Sequence, residues 1–164
     1  MLAGQRTVGV VTISDSCSQG LKDDVSGKLL CQLAASLGQL VKHVVIPDKE
    51  DVVRATLLEL IDNLGVDFVL TTGGTGVSPR DVTPEATRSV IEKEVPGLSE
   101  LMRMRTVSSS PTSVLSRAVC GVRGTTLIVN LPGSPRGVEE CLKVVLPVLP
   151  HVNDMVHQRP HKHG

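Results

Sequence analysis

Three times in its first 90 residues the chain repeats one unit: an apolar run of strand length, a polar turn, and a segment whose large aliphatic residues recur at helical spacing. The first run, "TVGVVTI" (7–13), is nearly continuous and β-branched, the pattern of a strand covered on both faces. "SGKLLCQLAASLG" (26–38) follows, with Ser26 as a cap, Leu29, Leu30, Leu33 and Leu37 at helical spacing, and a glycine stop. "LVKHVVI" (40–46) is the second strand, ended by Pro47. "EDVVRATLLELIDNLG" (50–65) is the second amphipathic helix, through Val53, Leu57, Leu60, Ile61 and Leu64, and "DFVLTT" (67–72) is the third strand. Such alternation predicts an α/β fold in which right-handed crossovers place helices on both faces of a parallel sheet.

The remainder fills in around that sheet. "TPEATRSVIEKE" (83–94) reads as a helix with Pro84 in its first turn, where a missing N–H costs nothing. "GLSELMRMR" (97–105) reads as another, "SSSPTS" (108–113) as loop, and "SRAVCGVRGTTLIVN" (116–130) as two strands about a turn. A last helix follows, broken at Pro147 and Pro150. Ligands in parallel sheets bind beyond the carboxyl ends of the strands. The turns "SDSCSQG" (14–20), "PDKED" (47–51), "TTGGTG" (71–76) and "LPGSPRG" (131–137) are therefore predicted to share one rim.

Composition removes several classes of function. A chain of 164 residues with 40% hydrophobic content suits one domain. Lysine plus arginine and aspartate plus glutamate both number 17, so no net field draws the chain to a polyanion. Tryptophan and tyrosine are absent and Phe68 is the single aromatic residue, which removes the stacking platforms of single-strand readers; no nucleic-acid partner is expected. Cys17, Cys31, Cys120 and Cys141 form no C-x-x-C pair, so neither a zinc nor a redox motif is read, and reduced thiols are expected. The run near the amino end is far short of the ~20 residues needed to cross a bilayer and carries no cleavage signal, so a cytoplasmic protein without membrane insertion is expected. "HQRPHKHG" (157–164) reads as a solvated tail.

The densest stretch is "TTGGTGVSPRDVTPEAT" (71–87). Gly73, Gly74 and Gly76 clear side chains from a place where successive N–H groups can form an anion nest, and Thr71, Thr72 and Thr75 can add hydroxyls. The same glycines also suit an ordinary turn. The lysine of a Walker A loop is missing, which disfavours a P-loop enzyme. Charge on a bound phosphate would then be met by a metal ion or by distant basic residues. Asp48 and Asp81 are the candidate Mg²⁺ ligands, with helix capping as the alternative role of each, and Asp15 and Asp24 are further candidates. Arg80, Arg117, Arg123 and Arg136 fall in loops, as phosphate contacts or as solvated charges. Ser14, Ser116 and Ser134 are candidate ligand contacts, with no histidine nearby in sequence to make a serine nucleophile.

Taken in order, "TISDSCSQG", "IPDKED", "LTTGGTGVSPRDVTPEAT", "PGL", "LSRAVCGVRG" and "LIVNLPGSPRG" resemble the amino-terminal G domain of gephyrin and its insect counterpart cinnamon, and are similar to bacterial molybdopterin adenylyltransferases. The resemblance runs from about Thr7 to His157. It implies the three-layer α/β/α fold of molybdenum cofactor biosynthesis G domains, with a mostly parallel central sheet. It also implies transfer of AMP from ATP to molybdopterin, Mg²⁺ dependence, a homotrimer, and fusion to or cooperation with a molybdenum-insertion E domain.

Carried over by position, the resemblance places Gly73, Gly74, Thr75 and Gly76 in the nucleotide loop, with Pro132, Gly133 and Ser134 against the nucleotide. It makes Asp48 and Asp81 the acids needed for activity, puts Ser14 and Asp15 in the first rim turn and Asp24 as the acid of the first loop, all three toward the substrate, and sets Thr106 and Ser116 near the pterin. Two positions depart from the family pattern. Val25 follows Asp24 where a basic residue is usual, leaving Lys22 or Lys28 to supply that contact, and Thr106 stands where the family has serine. Residues 1–157 are expected to form the domain and 158–164 a flexible tail or linker. Two other readings stay open: a trimeric molybdopterin-binding scaffold without turnover, and a different nucleotide-dependent phosphotransferase.

Overall fold

The computed structural model describes residues 4–160. Its strands are β1 (Thr7–Ile13), β2 (Gln39–Ile46), β3 (Phe68–Thr72), β4 (Lys93–Glu94), β5 (Cys120–Arg123) and β6 (Thr126–Leu131). They form one sheet in the order β2-β1-β3-β6-β5-β4, parallel from β2 to β6 and antiparallel from β6 to β4. The helices are α1 (Asp15–Ser18), α2 (Val25–Ala34), α3 (Glu50–Leu58), α4 (Thr83–Val90), α5 (Pro96–Thr106), α6 (Pro135–Val145) and α7 (Leu149–Val156).

Side-chain alternation along the central strands sorts the core into two halves. Val8, Val10, Phe68, Leu70, Leu127 and Val129 pack with α2, α5, α6 and α7. Val11, Ile13, Val69 and Ile128 pack on the opposite face with α3, α4 and the π-helical turn Glu59–Asn63 that extends α3. The result is a three-layer α/β/α fold, and β1, β3 and β6 are buried along almost their whole length.

Five local expectations are corrected. α2 is capped by Asp24, whose Oδ1 accepts the Gly27 N–H at 2.8 Å, and Ser26 instead donates to the Gly133 carbonyl at 2.7 Å. The predicted helix over 83–94 ends at Val90, because residues beyond it join the sheet: Glu92 N–H bonds to Val122 O and Val95 N–H to Cys120 O, which makes Lys93–Glu94 an edge strand. Pro111–Leu115, read as loop, forms a 3₁₀ turn. Pro147 separates α6 from α7, whereas Pro150 lies in the first turn of α7 and starts that helix. His157, assigned to the solvated tail, is held against the body: Nδ1 lies 2.8 Å from Asn153 O and Nε2 3.5 Å from Asp67. His161 and His163 lie outside the described residues.

Candidate functional site

β1 is flanked by β2 on one side and β3 on the other, so the chain leaves β1 in one direction and returns past it in the other. The loops after β1 and β3 consequently part at this switch point, the place where open α/β sheets hold ligands. They start from close contact. Gly73 has φ +102°, and a Cβ on it would lie 2.2 Å from the Ile13 carbonyl oxygen. Gly74, at φ +68°, leaves no room either, since its Cβ would lie 2.3 Å from Thr83 Oγ1.

The loop is turned so that its carbonyls face the protein. Gly73 O accepts from Thr83 Oγ1 at 2.9 Å and Gly74 O from Thr83 N–H at 3.1 Å. Thr75 O accepts from Arg117 N–H at 2.8 Å and Gly76 O from Arg117 Nε at 2.7 Å. With all four acceptors engaged, the N–H groups of Gly74, Thr75 and Gly76 meet no protein acceptor among the described residues. Successive unpaired N–H groups are what an anion nest requires. The neighbouring threonines support the loop and do not line it: Thr71 Oγ1 accepts from buried Asn130, and Thr72 Oγ1 donates to Pro132 O at 2.7 Å.

A cavity of about 380 Å³ opens from this loop toward α5 and α6, within the usual range for a small-molecule site. Its walls include Gly74, Thr75, Gly76 and Asp81, then Pro132, Gly133 and Ser134, and on the far side Thr106 and Ser116. Eight residues expected at the nucleotide and substrate, and the expected catalytic acid Asp81, thus surround one space. Ser134 also caps α6 by accepting the Gly137 N–H at 3.0 Å, and buried Thr106 donates to Met102 O at 2.7 Å, which engages its hydroxyl within α5.

The acids flank the loop. Neither Asp48 nor Asp81 caps a helix: the cap positions of α3 and α4 are Lys49 and Val82, without side-chain bonds. Asp48 Oδ2 accepts the Asp15 N–H at 2.9 Å, while its Oδ1 would lie 3.3 Å from a Cβ on Gly74. Asp81 Oδ2 accepts the Ser78 N–H at 2.9 Å and would lie 2.8 Å from a Cβ on Gly76. Burial pushes the Asp48 carboxyl up, and the charges of Asp15 and Asp81 add to that; the bond donated by Asp15 opposes it. Asp15 is shifted down, chiefly by the bond from Asp48 N–H and next by its pairing with Arg80. Ser14 stands beside them as the cap of α1.

Asp24 lies apart from the cavity. Its Oδ2 accepts from Thr12 Oγ1 at 2.7 Å and sits 3.2 Å from His43 Nε2, and its other oxygen caps α2. Lys28, a candidate for the missing basic contact, pairs instead with Asp23 at 2.7 Å, and Val25 is exposed. Three residues gain parts that sequence reasoning did not assign. Arg117 grips the glycine loop, the Asp81 carbonyl at 2.9 Å and the Glu85 carboxylate together. Asn130 bridges Thr71, Thr87 and the Val119 N–H beneath the cavity. Glu140 forms part of the cavity wall beside Ser109. Long-range hydrogen bonds of this kind leave no periodic trace in a sequence.

Fold and site together define a three-layer α/β/α domain with a cavity beside the glycine loop at the switch point of its sheet. The chain belongs to the family described as "probable molybdopterin binding domain", which matches residues 9–151. It is 41% identical over 152 residues to the molybdopterin adenylyltransferase of Helicobacter pylori strain J99, covering 91% of this chain and 86% of that one. It is 43% identical to the molybdenum cofactor synthesis protein cinnamon of Drosophila melanogaster, covering 92% of this chain and 25% of that protein. Among solved structures, the molybdopterin biosynthesis enzyme MoaB of Thermus thermophilus superposes with a TM-score of 0.88 at 44% identity, over 96% of this chain and 99% of that one.

Proposed function

We infer that the chain is a molybdopterin adenylyltransferase of molybdenum cofactor biosynthesis, moving AMP from ATP to the terminal phosphate of molybdopterin and releasing pyrophosphate. The observation that carries this reading is the glycine loop: four inward carbonyls leave three adjacent N–H groups to hold the nucleotide's phosphates. In the reaction a phosphate oxygen of molybdopterin bonds to the α-phosphorus of ATP, and the bond from that phosphorus to the bridging oxygen breaks. The nucleophile is already anionic at neutral pH, so no general base is needed; alignment and stabilisation of developing charge suffice. The cavity wall of Thr106 and Ser116 faces the pterin, Pro132–Ser134 lies against the nucleotide, and Ser14 and Asp15 close the rim. Asp24 supports the first turn from inside.

Asp48 and Asp81 would hold Mg²⁺. The raised Asp48 carboxyl, set among other acids, is the local excess of negative charge that a cation relieves. Two carboxylates suit a Mg²⁺ ion that fills the rest of its sphere with phosphate oxygens and water. When bound, the ion neutralises phosphate charge as the α-phosphorus is attacked. A homotrimer, cytoplasmic residence and pairing with an E domain belong to the same proposal. So does a domain over 1–157, with 158–164 as tail or linker. No helix among the described residues is long and apolar enough to cross a membrane.

The test is incubation with molybdopterin, ATP and Mg²⁺, following adenylated molybdopterin by mass spectrometry, with Asp81→Asn and metal-free controls and sedimentation for the oligomer. Product that needs Asp81 and metal supports the reading. Tight molybdopterin binding without product supports the scaffold alternative instead.

A further inference from the structure

The single aromatic residue, Phe68, is fully buried in the sheet, so a pterin in this cavity stacks on no aromatic ring. Recognition of its ring system therefore falls to aliphatic contact with Met102, Leu115 and Ala118 and to hydrogen bonds at the ring's edge. Two carboxylates stand in the cavity wall, Asp81 and Glu140. Asp81 is committed to the glycine-loop end. Glu140 lies on α6 six residues beyond the cap Ser134, about 9 Å farther along the helix axis at 1.5 Å per residue. The start of α6 abuts the glycine loop, since a Cβ on Gly133 would lie 3.4 Å from Gly73 Cα. The cavity thus has an anion-binding end and, set off from it, a second acidic point.

The Glu140 carboxylate is already fixed in place. Arg136 Nε donates to Oε1 at 2.8 Å and Ser109 Oγ to Oε2 at 3.0 Å, and these bonds hold its carboxyl below the usual range, Arg136 contributing most. Each oxygen retains acceptor capacity for a further bond. The pterin edge formed by N3–H and the 2-amino group offers two parallel donors, the complement of an oriented carboxylate. We propose that Glu140 reads this amidine-like edge of the pterin and so sets the site's preference for a 2-amino-4-oxo ring. This rests on the adenylyltransferase reading of the same cavity.

The experiment measures molybdopterin affinity of the full chain, then competition by pterin and by lumazine, whose ring carries oxygen in place of the 2-amino group. In the wild type, pterin is expected to compete at least about tenfold better than lumazine. Glu140→Gln keeps the size but replaces one acceptor with a donor; it is expected to abolish that preference and weaken molybdopterin about tenfold, with ATP affinity unchanged. Arg136→Gln removes one of the two bonds that hold the carboxylate and keeps the Ser109 bond, and is expected to weaken the pterin preference less than Glu140→Gln does. A Glu140→Gln protein that keeps both its pterin preference and its molybdopterin affinity overturns the assignment, as does loss of preference to the same extent in Arg136→Gln. Failure of wild type to bind molybdopterin at all would overturn the adenylyltransferase reading itself.

Discussion

Asp15 and Asp48 exchange hydrogen bonds: the N–H of Asp15 donates to Asp48 Oδ2 and the N–H of Asp48 to Asp15 Oδ1, both at 2.9 Å. This reciprocal pair ties the turn after β1 to the turn after β2 and sets two carboxylates side by side next to the glycine loop.

The pair's two acids titrate in opposite directions. Asp48 lies above its ordinary 3.8, mainly through burial, so it holds its proton more tightly in the fold than in the unfolded chain. Its ionisation therefore subtracts stability as pH rises from the ordinary value through the raised one. Asp15 is depressed, and its contribution, present above the ordinary value, is lost as pH falls through the lower one. Asp48→Asn is expected to remove the first effect and keep the second, while lowering kcat about 10²-fold through loss of a carboxylate that would hold Mg²⁺ beside the transferring phosphate. Urea midpoints across acidic to neutral pH check the stability arm. Wild-type activity should fall on acidification at a pH above 3.8, and added Mg²⁺ should move that fall lower.

Arg117 binds the carbonyls of Gly76 and Asp81 with one guanidinium, which a lysine ammonium cannot reproduce in the same fork. Arg117→Lys is expected to lose about 1–2 kcal/mol of stability. Hydrogen exchange should quicken at residues 74–81, and ATP affinity should weaken while molybdopterin affinity holds. Equal weakening of both ligands would make Arg117 a general scaffold residue.

Gly74→Ala places a methyl group against Thr83 Oγ1 at a left-handed φ. Expected is a stability loss of about 1–3 kcal/mol from strain, together with a weakened grip on ATP because the nest's N–H groups turn away. Thermal unfolding and ATP titration of the variant check both arms.

The two buried thiols, Cys120 and Cys141, are both pushed up to about 11 by burial. Although Cys141 lines the cavity, it stays protonated near neutral pH and is a poor nucleophile. In the native protein a thiol-specific reagent should label Cys17 first, with Cys120 and Cys141 reacting only on unfolding. Peptide mapping of the labelled chain resolves the order.

The parallel half of the fold could be read from sequence because β1 and β3 are buried on both faces, which forces continuous apolar runs, and α3 shows its stripe to one layer. α1 has only four residues, too few to display a helical period. β4 was hidden inside a helical pattern because Lys93–Glu94 is chosen by pairing with β5, a long-range event. At the site, glycines and acids declared themselves through backbone demands and charge. The direction in which Asp24 turns, and the grip of Arg117 on a loop distant in sequence, depend on three-dimensional closure.

Asn130 makes the sharpest case of such closure. Fully buried on β6, it accepts from Val119 N–H at 3.1 Å and donates to Thr71 Oγ1 and Thr87 Oγ1 at 3.0 and 3.1 Å, joining β3, α4 and the approach to β5 under the cavity floor. Asn130→Ala would strand a buried N–H and remove both donors, at a cost of about 2–4 kcal/mol, since an unpaired buried group bears its full desolvation penalty. Asn130→Asp should also be harmful, because it buries a charge; the hydroxyls of Thr71 and Thr87 can turn to donate to the carboxylate but do not offset its full desolvation. If Asn130 also sets the cavity floor, Asn130→Ala at low temperature, where it remains folded, should bind molybdopterin more weakly than wild type. Unchanged affinity in that folded variant would confine Asn130 to stability.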